Sequence, residues 1–220
     1  MLTRSEVPIA YSMITAAERI RSRRDGGHLY QKYFLFWTAF DSIYTAIARR
    51  EGCVSQIKRD EDGSIVTRPN GGVQIPEVEI VSDNKRVRLA LNEFDDVVKH
   101  TLILHEGTEY FVGRIPAWQG ALIEYDAFGQ RVNGVIKIDH TSDSQYPVWS
   151  PIDIQHYEAY MKGLEDRDTR DFLAGQIVEL LHTIRKNYLY SSMKFDDAND
   201  LKVVQNGLPM LELIVTSFLR

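Results

Sequence analysis

Apolar residues recur at helical spacing through most of this chain, and the recurrence lapses in two stretches. In residues 11–24, Met13, Ala16, Ala17 and Ile20 form one stripe, and Arg19, Arg21, Arg23 and Arg24 give the segment a basic end. Cations suit the negative end of a helix dipole and the Gly26-Gly27 pair supplies a stop, so the pattern predicts a helix there. Residues 28–50 are apolar nearly all round through FLFWTAFDSIY. A helix without a broad polar face belongs at the centre of a bundle. Gly52 closes it.

The first lapse covers residues 51–82, where glycine pairs, Pro69, Asn70 and Pro76 interrupt a polar segment and only 73–81 alternates. It reads as a long, partly ordered connection. Helical spacing returns over 83–105, with Val87, Leu91, Phe94, Val97, Val98 and Leu102 on one side. The second lapse, about 108–140, offers short β-prone runs broken by Pro116, Gly120, Gly129 and Gly134, and predicts a small insertion of two or three strands. Ser150, Pro151 and Asp153 then read as a helix start, with serine at the cap and proline in the first turn, and Gly163 as its end. Asp168 and Thr169 open a helix that turns Phe172, Leu173, Ile177, Leu180, Leu181 and Ile184 toward the core. The last helix opens within 197–200 and buries Leu201, Val204, Leu208, Leu211, Val215 and Phe218, with Pro209 predicted to kink or divide it. The expected fold is mainly α: one domain over residues 1–220, with bundle helices at about 11–50, 83–105 and 150–220.

Composition narrows the functional classes. The 31 acidic residues outnumber the 26 basic ones, so no whole-molecule field draws in nucleic acid and any RNA contact must be a local patch. Cys53 is the only cysteine, which leaves no intrachain disulfide and no cysteine-rich zinc site and suits a reducing cytoplasm. No apolar run is long enough to span a bilayer, so the expectation is a soluble cytoplasmic protein without membrane contact.

Most isolated candidates carry little chemistry. His100 and His105 are five residues apart, which does not put two ligands on one helix face, so no metal is expected. Arg23 and His28 enclose four residues in a loose arginine-to-histidine pattern, but the Asp25-Gly26-Gly27 stretch between them breaks the helix that would hold the pair. Asp41 is more telling. A carboxylate inside an apolar helix must be paired or face a cleft, because an unpaired buried charge is costly.

Two blocks together are more specific. The first is WTAFDSIY at residues 37–44; the second is LLHTIRKNYLYSSMK at 180–194, followed by an acid and an apolar final helix. The second resembles the active-site helix of the HEPN family, small helical bundles many of which cut RNA without a metal. That family's line runs arginine, one or two asparagines, two or three apolar residues, histidine, often two glycines, then a basic residue. Arg185, Lys186, Asn187, Tyr188 and Leu189 follow it, and Tyr190 stands where the histidine would be. The first block is similar to the family's first-helix signature. The blocks leave the β-insertion unexplained.

The resemblance implies a HEPN-like antiparallel helical bundle forming a homodimer with a shared cleft, without a cofactor. It implies an RNA-directed, metal-independent endoribonuclease of toxin or defence type, with RNA or a nucleotide as ligand and an antitoxin or other protein as partner. On the resemblance, Arg185 would take the phosphate, Asp41 would orient the arginine, and Lys186, Asn187, Ser191 and Lys194 would line the binding surface, with Tyr190 in the histidine position. Arginine suits a phosphate through its planar fork. Tyr190 is a poor base at neutral pH, since an ordinary phenol titrates near pH ~10. His182, one turn before Arg185 on the same helix face, is the substitute candidate, and a histidine packed at the bundle edge is its plainer reading. A catalytically inactive dimeric interaction or nucleotide-binding module is the alternative.

Overall fold

The computed structural model describes residues 2–24, 26–53, 55–70, 73–81, 83–116, 122–124, 128, 152–164, 166–190 and 198–219. These form eight helices and three two-stranded antiparallel ribbons, so the chain is mainly helical. Helix α1 (Pro8–Glu18) starts earlier and stops sooner than expected. Pro8 sits at the first helical position, where its missing N–H costs nothing. Beyond Arg19 the arginine-rich segment leaves the helix, and the Arg23 backbone N–H donates to His28 Nδ1 at 3.1 Å. The arginine-to-histidine pattern is thus a turn closing onto α2.

Helix α2 (Gly27–Arg50) is the centre. Its buried Tyr30, Tyr33, Trp37, Phe40, Tyr44 and Ile47 recur every three or four residues, so one long stripe faces the core. It packs against α1 on one side and α8 (Ala198–Phe218) on another. The expected stripe of α8 is buried at Val204, Leu208, Leu211, Val215 and Phe218, and half-buried at Leu201. Pro209 lies exposed within α8 without dividing it. Gly207 lets α8 come close, since a Cβ there would lie 2.9 Å from Ile184 Cδ1 and 3.3 Å from Tyr33 Cε2.

Three expectations need correction. The connection over residues 51–82, expected to be only partly ordered, carries a β-arm among its described residues: β1 (Ser55–Ile57) pairs with β4 (Val78–Ile80), and β2 (Thr67–Asn70) with β3 (Val73–Pro76). The bond from Lys58 N–H to the Glu77 carbonyl, 2.9 Å, joins the two ribbons into one arm. Second, the helix expected over 83–105 is two, α3 (Asp83–Asn92) and α4 (Asp96–Ile103). Asp95 breaks it by accepting the Val98 N–H at 2.7 Å as an N-cap, and the new phase leaves Val97 72% exposed instead of buried. Third, the insertion begins with a helix, α5 (Glu106–Phe111), whose Phe111 is fully buried. Strands β5 (Arg114–Pro116) and β6 (Leu122–Glu124) pair antiparallel, and most of the remaining insertion lies outside the described residues.

Helix α6 (Ile154–Met161) is capped by Asp153, which accepts the His156 N–H at 2.8 Å; the expected cap Ser150 lies outside the described residues. Helix α7 (Arg167–Tyr190) runs where the sequence places it. Leu173, Ile177, Leu180, Leu181 and Ile184 are buried, while Phe172 is largely exposed against the ring of His156.

Candidate functional site

The two blocks meet. Trp37 is 3% exposed on α2, and the His182 ring of α7 stacks on its indole at a centroid distance of 5.4 Å and an angle of 6°. One turn on, the Arg185 guanidinium lies over the same indole, 5.6 Å from its centroid. Indole is the best of the neutral rings for holding a cation, and partial desolvation strengthens the attraction. The Trp37 N–H has no acceptor among the described residues. Beside the stack, the Tyr33 hydroxyl donates to the Leu181 carbonyl at 2.7 Å and ties α2 to α7. Burial pushes the Tyr33 phenol well above its ordinary value, and the nearby Arg185 charge pulls it part of the way back.

Further along α2, Phe40 and Tyr44 continue an edge-to-face ladder from Trp37, with centroids 5.5 Å and then 5.3 Å apart. Asp41 is half-buried on this face and accepts the Tyr44 hydroxyl. It makes no ion pair among the described residues, so the arginine-orienting role expected of it is not what the described geometry displays. Glu179 of α7 pairs with Arg88 of α3 at 3.2 Å.

Sequence reasoning passed over Arg86. This half-buried α3 residue lies 5.4 Å from the Tyr44 ring centroid and donates to Thr45 Oγ1 at 3.0 Å. No spacing rule links it to Tyr44, because the two meet only through helix packing. Lys186 is half-buried beside Arg185. The side chains of Asn187 and Tyr190 lie outside the described ones although their backbone completes α7, and Ser191 and Lys194 lie outside the described residues altogether.

His182 is 3% exposed within the stack, which fits the packed histidine better than a proton carrier open to substrate. The other histidine candidates are also structural. His100 Nδ1 lies 2.5 Å from the Tyr160 hydroxyl, and His105 caps α5 by accepting the Gly107 N–H at 3.0 Å. Among the described residues no group of acids, histidines and cysteines has metal-binding geometry, and no helix is long and apolar enough to cross a membrane. A cavity of about 340 Å³ opens between α3, α4 and α7, with the Lys99–Asp171 ion pair on its wall.

No protein-family model, curated protein or solved structure matches the chain.

Proposed function

We propose that this is an RNA-directed protein of HEPN-like type, in which Arg185 on its Trp37 platform contacts RNA phosphate and Tyr190 leaves the cleavage step weakened. The observation that carries this reading is the meeting of the two sequence blocks at Trp37, with Arg185 over the ring. Cleavage of RNA by its own 2′-hydroxyl requires a proton taken from that oxygen, a proton given to the leaving 5′-oxygen, and a cation at the crowded phosphate. Arg185 supplies the cation. A phenol in the base position forfeits much of the ~10²–10⁴-fold that a well-matched general base contributes. A homodimer sharing its α7 ends across a cleft, within a toxin or defence pair, belongs to the same proposal.

The test uses purified full-length protein, a structured RNA and a chelator. RNA is bound or cut, Arg185→Ala loses that activity, and Tyr190→His raises cleavage at neutral pH. Retention of full activity by Arg185→Ala refutes the site. The second reading, a dimeric interaction module without chemistry, draws on the enclosure of His182, which leaves no open histidine on this turn of α7. A Tyr190→His protein that binds RNA without cutting it any faster favours that module.

A further inference from the structure

Four arginines, Arg19, Arg21, Arg23 and Arg24, fall within six residues of a chain whose net charge is -5. The hydrophobic pattern assigns them to the basic end of a helix, and the structure removes that purpose. Helix α1 stops at Glu18 with no basic residue in its last turn, and Arg19 is its C-cap. A helix dipole acts within the last turn, so it does not account for Arg21, Arg23 or Arg24. All four side chains are exposed. Among the described residues, Arg19, Arg21 and Arg24 make no ion pair or side-chain hydrogen bond, and the adjacent Glu18 takes none of them.

The backbone beneath these charges is held at its far end. The Arg23 N–H donates to His28 Nδ1 at 3.1 Å and the Gly26 N–H to the Arg23 carbonyl at 3.3 Å. Gly26 is buried so closely that a Cβ there would collide with Leu201 of α8. Helix α2 begins at Gly27, and its first turn holds no acid. The positive end of its dipole therefore adds to the field of the arginines. Like charges gathered in this way cost stability, and an anion laid across them reverses the sign. Arginine matches phosphate through its planar fork. Ile20, the one apolar residue of 19–24, is half-buried, and the stretch is not helical, so it offers a lipid surface no apolar face. These features favour the phosphates of a nucleic acid strand over a membrane.

We propose that residues 19–24 are a docking site for the RNA backbone, blind to base sequence, in which Arg19, Arg21 and Arg24 each contact a phosphate. The site lies apart from Arg185, since ten residues of α2, roughly 15 Å of helix, separate Gly27 from the Trp37 platform. The choice of RNA rests on the proposed function, and the experiment separates the two.

The affinity of full-length protein for labelled oligouridylate and oligoadenylate is measured by fluorescence across a range of salt concentrations. The triple exchange Arg19→Gln, Arg21→Gln, Arg24→Gln should weaken binding roughly tenfold or more and reduce the log–log salt slope by about 2, at ~0.7 for each single-strand phosphate released. The loss should be the same for both RNAs, because phosphate contacts carry no base information. Lysine at all three positions should keep the slope. A control of equal charge change, Arg88→Gln, Lys162→Gln, Arg167→Gln, removes three exposed cations that are each paired with a carboxylate, and should leave the slope unchanged. An unchanged slope in the first triple, or an equal fall in the control, overturns the inference. Binding that depends on Arg185 and not on the triple overturns it and leaves the RNA reading of Arg185 standing. Binding that depends on the triple and not on Arg185 supports it and refutes the Arg185 site. Absence of binding to either RNA overturns both. Phosphatidylserine vesicles that bind the parent more tightly than RNA, through the same arginines, also overturn the assignment to RNA. Should the triple fail to match the parent in thermal melting, Arg21→Gln with Arg24→Gln leaves the α1 cap intact and should reduce the slope by about 1.4.

Discussion

Helix α7 holds its charges in two ways. Near its start, Asp171 takes the Nζ of Lys99 at 2.7 Å, and Arg170 reaches Asp96 at 2.8 Å, so carboxylates lock α4 onto α7. Lys99 keeps only 9% of its side chain exposed, and the pairing is what makes that burial tolerable. Near its end, Arg185 rests on the Trp37 indole, which shares its ring with His182. An ion pair consumes charge to fix a helix. A ring platform holds the cation through an aromatic face instead. The first arrangement joins two helices through opposite charges, and the second joins them through a ring; under the proposed function it is the second that meets phosphate.

Removing the platform should break this contrast most severely. Trp37→Ala takes a nearly fully buried aromatic from α2, together with its contacts to Phe40, His182 and Arg185. A loss of ~3–5 kcal/mol is expected in urea unfolding. Trp37→Phe keeps a ring and should lose less stability, yet it weakens the hold on Arg185 and should lower RNA affinity in a fluorescence titration. If Trp37→Phe leaves affinity unchanged, the platform serves packing alone.

At the other end of α7, the two partners of the ion pair should respond unequally. Asp171→Ala strands the buried Lys99 ammonium and should cost ~2 kcal/mol, below the 3–5 typical of fully buried pairs because Asp171 is 40% exposed. Lys99→Met replaces the buried charge with an apolar chain of similar length, and should cost far less or nothing. Equal losses in the two variants would show that the pair contributes through attraction rather than through the penalty of burying Lys99 alone. Neither variant should alter RNA binding.

The same contrast explains what could be read in the sequence. The stripes of α2, α7 and α8 were legible because each buries one face for three or more turns, and Arg185 was placed by motif. Asp95 was not legible as a break, since the apolar spacing runs on through Phe94, Val97 and Val98, and only its N-cap bond shows the restart. The β-arm escaped for a different reason. The described side chains of the arm bury little, with Ile57 and Ile65 nearly half exposed, so no strong alternation marks it, and strand partners lie up to about two dozen residues apart. Arg86 reaches the Tyr44 ring only because α3 packs on α2, which no local pattern encodes.

A smaller effect concerns the bond that braces the platform. Burial raises the Tyr33 phenol, so the folded state keeps its proton at a pH where the unfolded chain, titrating near pH ~10, has lost it. A group raised in the folded state contributes fully below the unfolded value and loses that contribution as pH rises toward the folded one. Stability should therefore fall above about pH 10, by up to ~1.4 kcal/mol per pH unit from this residue. Tyr157, also raised by burial and by the Glu109 charge, acts in the same direction. Tyr33→Phe should cost ~1 kcal/mol at neutral pH through its lost bond to Leu181, and should flatten part of the alkaline slope. An unchanged slope would assign the alkaline loss to other tyrosines.

The smallest expected effect is also the sharpest on chemistry. His182 lies one turn from Arg185, where a histidine acting as base would be most useful, yet its ring is 3% exposed and stacked within 6° of the Trp37 plane. A proton carrier must reach within hydrogen-bond distance of the proton it moves, directly or through one water. A ring enclosed in a stack meets that condition only if the helices part. His182→Phe preserves the flat ring and removes both nitrogens, so stability should change by less than ~1.5 kcal/mol, as for other volume-conserving swaps. Any RNA cleavage by the parent, or by Tyr190→His, should proceed at the same rate and with the same pH profile after the exchange. A fall of ~10²–10⁴-fold with the fold intact would instead make His182 the base, and would mean that the stack opens during turnover.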